Sequence, residues 1–480
     1  MLLKEKHLLA LDKSDFLKKS LIDLENKIKN DDSGSCWHIE ESLLKSKEMA
    51  EKLDDLPKDK KIKMPFYGLS IGVKDLFCVK GMTTTAGSKI LEAFVSPYSS
   101  TVWKSLEDKG VMLGAKVAMD EFAMGSFSNT SYLGRVSVPR LKEHSAGGSS
   151  GGSAASVSAG VVDFSLGSDT GGSVRLPASF CSTVGYKPSY GTFSRYGMIA
   201  YASSLDQAGF LTKNVEDVEY LLSNSISVKD DKDMTSKGIE LKWIDKKISD
   251  LKVGYFPEFL QSLEIQDDIK VAYKKMLDDL AFLKIKLIPV NIPNMQYAAQ
   301  IYYTLACSEA SSNLAKFQGV FFGKKLIDEK FSGTYWEQCA QYRSKYFGSE
   351  VQKRIMLGSF ILSSENYSSM YQKSVLLRKC LTNDFNHIFS DMDSIVLPTS
   401  PMTSPKWENI GKMTSAQIYL SDFMTVPFSL AGLPAVSVPW FKSQSGLGIG
   451  MQWVGKYAND YQLIKDILMI EKEIKILKDA

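Results

Sequence analysis

Gly147-Gly148-Ser149-Ser150-Gly151 has the G-x-S-x-G spacing that presents a serine nucleophile at a sharp strand-to-helix turn. A serine hydroxyl attacks poorly until a base takes its proton, so the chemistry turns on which base this chain can offer. In elbow-type hydrolases an Asp or Glu and then a histidine follow the serine. Of the four histidines (His7, His38, His144, His387) only His387 does so. It sits in "NDFNHIFSDMD", a helical pattern where a surface or packing histidine is the ordinary expectation. "GSDTGGSVR" (167–175) is glycine-rich after an apolar run, but it lacks G-K-[ST] and G-x-G-x-x-G, and Asp169 would repel a phosphate. The histidines and cysteines show no metal-ligand spacing.

A serine with no histidine to activate it directs attention to lysine. Lysine acts as a base only when neutral, so its ordinary pKa of about 10.4 must fall through burial or nearby positive charge. Lys74 stands at the end of an apolar strand pattern in "LSIGVKDLF". The same placement also suits a strand-end lysine that reaches water beside Asp75.

These residues need a scaffold. At 480 residues, 44% of them hydrophobic and 24% charged, the chain has the balance of a globular protein with a large core. A net charge of +3 gives no basic surface that would hold nucleic acid by itself. The six cysteines are scattered without C-x-x-C pairs, the usage of a reducing compartment. "MLLKEKHLLALDKSDF" lacks the apolar run of a secretory signal and the acid-poor face of a transit peptide, and no run reaches membrane-spanning length. A cytoplasmic protein is expected. Residues 1–63 read as helices and loops ending in the charged "PKDKKIK", expected as a solvated loop. From Met64 short apolar strands alternate with helical periods: "FYGLSIGVKD", "GVMLGAKVAM", "GVVDFSLG", "LKVGYFP", "LKIKLIPVNIP", "DSIVLPTSP", "AVSVPWF" and "GLGIGMQWVG". The expectation is an α/β fold, a large mixed central sheet covered by helices on both faces, with 1–63 packing on one catalytic domain spanning 64–480. Residues 223–247 form the most polar interval, a surface excursion. The Gly/Ser/Ala-rich stretch Ser145–Ser179 has a linker's composition. Yet apolar strands flank it, and it reads as a turn, a small-residue helix and a strand running into a tight glycine loop.

"GLSIGVKDLF", "GGSSGGSAA" and "GSDTGGSVRLPASFCSTVGYKPSYG", in this order and spacing, resemble the amidase signature family, whose members use a Ser–cis-Ser–Lys triad. The resemblance implies Ser173 as nucleophile, Ser149 as the bridging serine after a cis peptide, and Lys74 as base. Backbone N–H groups of Thr170, Gly171, Gly172 and Ser173 would then form the oxyanion hole. Asp169 and Arg175 flank the nucleophile as partners that fix its loop.

"DEFAMGSFSNTSYLG", "SRYGMIAYASSLDQAG", "YYTLACSEASSNLAKFQG", "EVQKRIMLG" and "TVPFSLAGLPAVSVP" are similar to the family branch formed by A subunits of glutamyl-tRNA(Gln) amidotransferases. That similarity implies a glutaminase subunit passing ammonia to a B subunit, which uses ATP and Mg to activate Glu-tRNA(Gln), with a small C subunit bracing the pair. It implies no cofactor in this chain. Glutamine is a zwitterion, so its pocket needs a cation and an anion; by position these are Arg354 and Asp422, with Tyr302 lending a hydroxyl. A stand-alone amidase acting on a small or aryl amide would need neither charge, and a non-catalytic scaffold would need none of the triad. Lys316 and Gln318 stand where the family has Arg and Asp, "SGLGIGMQW" replaces its usual "GLPIGLQ", and the first 60 residues match poorly.

Overall fold

A computed structural model describes residues 1–13, 15–224, 229–238, 242–262, 264–320, 322–323, 331–414, 417–418 and 421–479. Its strands are β1 (Cys36–Trp37), β2 (Ser70–Lys74), β3 (Met112–Val117), β4 (Ser137–Val138), β5 (Leu141–Ser145), β6 (Phe164–Asp169), β7 (Val184–Lys187), β8 (Gln207–Thr212), β9 (Lys252–Tyr255), β10 (Lys286–Pro289), β11 (Ser394–Pro398), β12 (Ala435–Lys442) and β13 (Gly448–Gly455). Eleven form one sheet in the order β1-β3-β2-β6-β8-β7-β12-β13-β11-β9-β10, and β4 pairs with β5 as a separate hairpin. The sheet is mixed. β3, β2 and β6 run parallel on one side and β10, β9 and β11 on the other, with antiparallel pairings between them. Every residue of β2, β3, β6, β7, β8, β11 and β13 is buried, as a sheet with helices on both faces requires.

All eight strand segments expected from the sequence are strands. Three further sheet members carry no such signal. β7 and β8 lie at the sheet's centre, yet β7 runs into "GYKPSYG" and β8 contains "QAG", where glycine and proline mask the apolar pattern. β1 is a two-residue edge strand inside a region read as helices and loops. It exists only through its antiparallel partner: Cys36 lies opposite Val117 and Trp37 opposite Lys116. The charged run expected as a loop contains a short helix, Lys58–Ile62, with no buried residue.

The helices of residues 1–54 bury Leu3, Leu24, Ile28 and Met49 in the same core as the sheet. Of the polar interval 223–247, residues 225–228 and 239–241 lie outside the described residues. The part between is fastened down: Thr101 and Ser194 hydroxyls donate to Asp230 at 2.6 Å each, and Arg195 N–H donates to Asp233 at 2.7 Å. Among the described residues no helix is long and apolar enough to cross a membrane.

What positions the site is the parallel register of β2 and β6. Val73 lies opposite Leu166, so Lys74 ends its strand beside the last residues of β6, at the carboxyl edge where open α/β sheets gather their ligands. The helix Gly151–Ser158 lies across these strands on small residues. A Cβ at Gly152 would come within 2.3 Å of Ala118 N and 2.5 Å of Ala118 O, both backbone atoms with nowhere to go. Gly152→Ala is therefore expected to lower the denaturant midpoint by the equivalent of about 1–3 kcal/mol, read by urea titration against the unmodified chain.

Candidate active site

Lys74 is fully buried. Its Nζ donates to three hydroxyl oxygens, Ser149, Ser150 and Ser168, each at 2.8 Å. Desolvation pulls its pKa down to about 7, against the opposing charges of Asp120, Asp169 and Asp206. The strand-end lysine reaching water is thus not what the structure holds. Ser150 Oγ donates to Ser168 O at 3.0 Å and accepts from Ser168 N–H at 3.2 Å. Its one proton is committed, so toward Lys74 it can only accept. Ser149 and Ser168 are then the hydroxyls able to turn a proton toward a neutral amine. His387, the base that an elbow-type hydrolase would need, lies near the end of the helix Lys373–Ile388, and among the described residues it makes no hydrogen bond to these serines.

Ser149 directly precedes Ser150, the N-cap of the helix Gly151–Ser158, and the Gly148–Ser149 peptide is cis. Gly148 is required by contact: a Cβ there would meet Asp120 Oδ2 at 2.1 Å. Asp120 in turn accepts the N–H groups of Ser128, Asn129 and Thr130 at 2.9–3.1 Å, which fixes the turn under the serines.

Ser173 ends the loop that leaves β6. Its carbonyl accepts Ser150 N–H at 3.1 Å, which draws the loop against the paired serines. The relay is not closed in this structure, because no hydrogen bond joins the Ser149 and Ser173 hydroxyls. Ser173 is 9% exposed where Lys74 and Ser149 are 0%, so of the three it is the one that reaches the solvent side. Among the described residues, the N–H groups of Thr170, Gly171, Gly172 and Ser173 have no hydrogen-bond acceptor, which leaves four donors on one short loop. Both glycines are close-approach positions: a Cβ on Gly171 would strike the Tyr302 ring at 2.8 Å, and one on Gly172 would strike Thr425 Oγ1 at 2.3 Å. Thr170 turns its hydroxyl away to Asp206 at 2.8 Å.

Asp169 and Arg175 tie this loop down. The guanidinium meets both carboxylate oxygens, Nη2 to Oδ1 at 2.9 Å and Nε to Oδ2 at 3.0 Å, and both residues are fully buried. Burial alone would raise the Asp169 carboxyl, but Arg175 overrides it and holds the group below the usual carboxylate range. Arg175 also donates to Thr425 O, Gln452 Oε1 and Ser429 Oγ, which locks the loop onto the neighbouring strand and helix.

Arg354 and Asp422 stand beside this loop with Tyr303 between them. Arg354 is 5% exposed; its Nη1 donates to the Tyr201 hydroxyl at 2.7 Å and its Nε pairs with Glu350 at 2.8 Å. Its guanidinium lies 5.5 Å from the Tyr303 ring centroid. The Tyr303 hydroxyl is 3.4 Å from Asp422 Oδ2, which also accepts from Ser126 Oγ at 2.9 Å. Burial pushes Asp422 up to about 6, with the Ser126 bond and the Arg354 charge acting against it. Tyr302 packs edge-on to Tyr303, ring centroids 5.0 Å apart, and covers Gly171. The structure therefore gathers Lys74, the two serines, the glycine loop, Tyr302, Arg354 and Asp422 into one neighbourhood. Sequence reasoning missed Ser150, Ser168, Ser126, Tyr201 and Tyr303. Their only signal was membership of the quoted stretches.

The family model described as Amidase matches residues 27–464. The chain belongs to the amidase family. Among its relatives it is 39% identical over 464 residues to the A subunit of glutamyl-tRNA(Gln) amidotransferase from Pelagibacter ubique, covering 95% of this chain and 92% of that one. It is 41% identical over 433 residues to the protein of the same name from Staphylococcus haemolyticus, covering 89% and 87%. Among solved structures, the A subunit of glutamyl-tRNA(Gln) amidotransferase from Thermotoga maritima superposes with a TM-score of 0.71 at 37% identity, covering 84% of this chain and 82% of that one. A crystal structure named only as an amidase does so with a TM-score of 0.78 at 26% identity, covering 97% and 98%.

One consequence of this amidase's site is structural. Arg175→Met would leave Asp169 buried and unpaired, a loss of about 3–5 kcal/mol. Thermal unfolding should show a large drop in midpoint, whereas Lys104→Met, which removes a solvent-facing i,i+4 pair, should leave it nearly unchanged.

Proposed function

We propose that this chain is the glutamine-hydrolysing subunit of a tRNA-dependent amidotransferase. The observation that carries this reading is a buried cation and a buried anion, Arg354 and Asp422, on either side of Tyr303 beside the loop that holds Ser173, with Glu350 taking only the Nε of Arg354. An amide without charged ends has no use for a desolvated cation and anion there. Glutamine has both, an α-carboxylate for Arg354 and an α-ammonium for Asp422, with Tyr302 lending its hydroxyl at the loop.

Neutral Lys74 takes a proton from Ser149 as Ser149 takes one from Ser173, and Ser173 Oγ attacks the side-chain amide carbon. The carbonyl oxygen becomes an oxyanion facing the N–H groups of the Thr170–Ser173 loop. As the C–N bond breaks, the leaving nitrogen takes a proton back through Ser149 and departs as ammonia. Water then enters, and the same relay removes its proton and frees glutamate and Ser173. The ammonia serves a B subunit that activates Glu-tRNA(Gln) with ATP and Mg, and a C subunit braces the pair. The chain itself needs no cofactor and works in the cytoplasm. The 39% and 41% identities to amidotransferase A subunits over nearly the whole chain support this assignment.

The pH dependence follows from two groups. Lys74 is a base only above its pKa of about 7, so single-turnover acylation by glutamine should rise as pH passes through that value. Below about 6 Asp422 takes up a proton and loses its attraction for an ammonium, so KM should worsen on the same acid side. Lys74→Arg should be as inactive as Lys74→Ala, because a guanidinium keeps its proton at any working pH. A flat acylation rate from about pH 6 to 8, or an active Lys74→Arg, would remove lysine as the base.

Arg354→Ala and Asp422→Ala should each raise the KM for glutamine, since each leaves one end of a desolvated zwitterion unpaired at about 2–4 kcal/mol. Steady-state kinetics decide the matter. A normal KM in both variants would point to a stand-alone amidase acting on an uncharged amide.

A further inference from the structure

Asp206 is buried, 3% exposed, and its two carboxylate oxygens serve two different places. Oδ1 accepts the Thr170 hydroxyl at 2.8 Å, at the start of the loop that carries Ser173. Oδ2 accepts the backbone N–H groups of Tyr201 at 2.9 Å and Ala202 at 3.0 Å. Tyr201 is the residue whose hydroxyl receives Arg354 Nη1 at 2.7 Å, with the guanidinium 5.6 Å from its ring centroid. A carboxylate is a rigid planar unit, so a displacement of the Tyr201–Ala202 turn must be passed to Thr170 or break a charge-assisted bond.

The far end of this turn is anchored. Ser204 N–H donates to Glu309 at 2.8 Å and its hydroxyl donates to the same carboxylate at 2.5 Å, while Arg378 Nη2 donates to Ser204 O at 3.0 Å. Asn313 holds Tyr201 O at 3.1 Å. Glu309 and Asn313 lie on the helix Ala298–Asn313, which also carries Tyr302 against Gly171. The turn is thus clamped on one side and linked to the nucleophile loop on the other, with Arg354 hanging from its middle.

We propose that Asp206 is a positioning residue that couples engagement of Arg354 to alignment of the Thr170–Ser173 loop, so that the substrate's carboxylate raises kcat as well as lowering KM. This rests on the reading of Arg354 as the carboxylate-binding cation. Glu350 takes Nε and the Tyr201 hydroxyl takes one N–H of Nη1, so a carboxylate arriving at Arg354 meets the remaining N–H groups and draws the guanidinium, with the Tyr201 hydroxyl bonded to it, toward itself. Whatever shift Tyr201 undergoes reaches Thr170 through Asp206, at the first of the four loop N–H donors that face the developing oxyanion. An amide lacking the carboxylate would bind without that adjustment and be turned over more slowly even at saturation.

The test uses the full amidotransferase complex and two substrates, glutamine and 4-aminobutanamide, which keeps the amide and the amino group but has no carboxylate. The unmodified enzyme should show a higher kcat for glutamine. Asp206→Asn removes the charge and one acceptor oxygen, so the threonine hydroxyl must reverse its bond if the amide oxygen keeps both backbone N–H groups, and the ratio of the two kcat values should shrink by roughly 10- to 100-fold. Equal kcat values in the unmodified enzyme would overturn the proposal, as would an Asp206→Asn that slows both substrates by one factor. Arg354→Ala is run alongside: an unchanged KM for glutamine there sinks the carboxylate reading itself, whatever Asp206→Asn does. If Asp206→Asn does not fold, Thr170→Val and Tyr201→Phe are combined in a double-mutant cycle on glutamine kcat. A double variant no worse than the worse single one supports coupling through Asp206; additive losses overturn it.

Discussion

A lysine ammonium taken out of water loses several kcal/mol of solvation unless the protein replaces it, and the rest of this site is arranged around how little replacement Lys74 receives. Three neutral hydroxyl oxygens at 2.8 Å take the place of water. Among the described residues no carboxylate pairs with it directly, although Asp120, Asp169 and Asp206 stand close enough to exert charge. Each of those three is committed elsewhere: Asp120 to a turn of backbone N–H groups, Asp169 to Arg175, Asp206 to Thr170 and the Tyr201–Ala202 turn. A direct ion pair would keep the amine charged and useless as a base. Hydroxyls hold it in place without fixing its proton.

That arrangement is possible only where backbones approach closely. Gly148 lies against Asp120, Gly152 against the backbone of Ala118, and Gly171 and Gly172 against Tyr302 and Thr425. These four of the glycines that give residues 145–179 a linker's composition are there because a Cβ at each would collide with a neighbour that shapes the site. Substrate recognition uses the same economy of space. Tyr303 lies between the cation and the anion, touching one through its ring and the other through its hydroxyl.

Much of this was legible in the sequence, and the limits have physical reasons. Long strands such as "GVMLGAKVAM" declare themselves because burial on both faces demands an apolar run, broken here only by Lys116, which pairs with the buried Asp75. β7 and β8 did not, since they are held by neighbours on either side and tolerate the glycine and proline that hide them. Lys74 came to notice through the need for a base where no histidine was at hand, and the family resemblance supplied Ser149, Ser173, Arg354 and Asp422. Ser168 and Ser150 were invisible as lysine ligands because only the β2–β6 register brings them to Nζ. Tyr201 and Asp206 sat in a quoted stretch with no assigned role, because the role depends on a turn geometry that no spacing rule encodes.

Whether burial strips Lys74 of its proton near neutrality can be read by an NMR titration of lysine Cε–Hε resonances, with the Lys74 signal identified by its absence in Lys74→Arg. The expected midpoint is close to 7, far below the ordinary lysine value of about 10.4. A Lys74 signal that stays in its charged position up to about pH 9 would show that desolvation does not free the amine, and would leave Ser173 without its base.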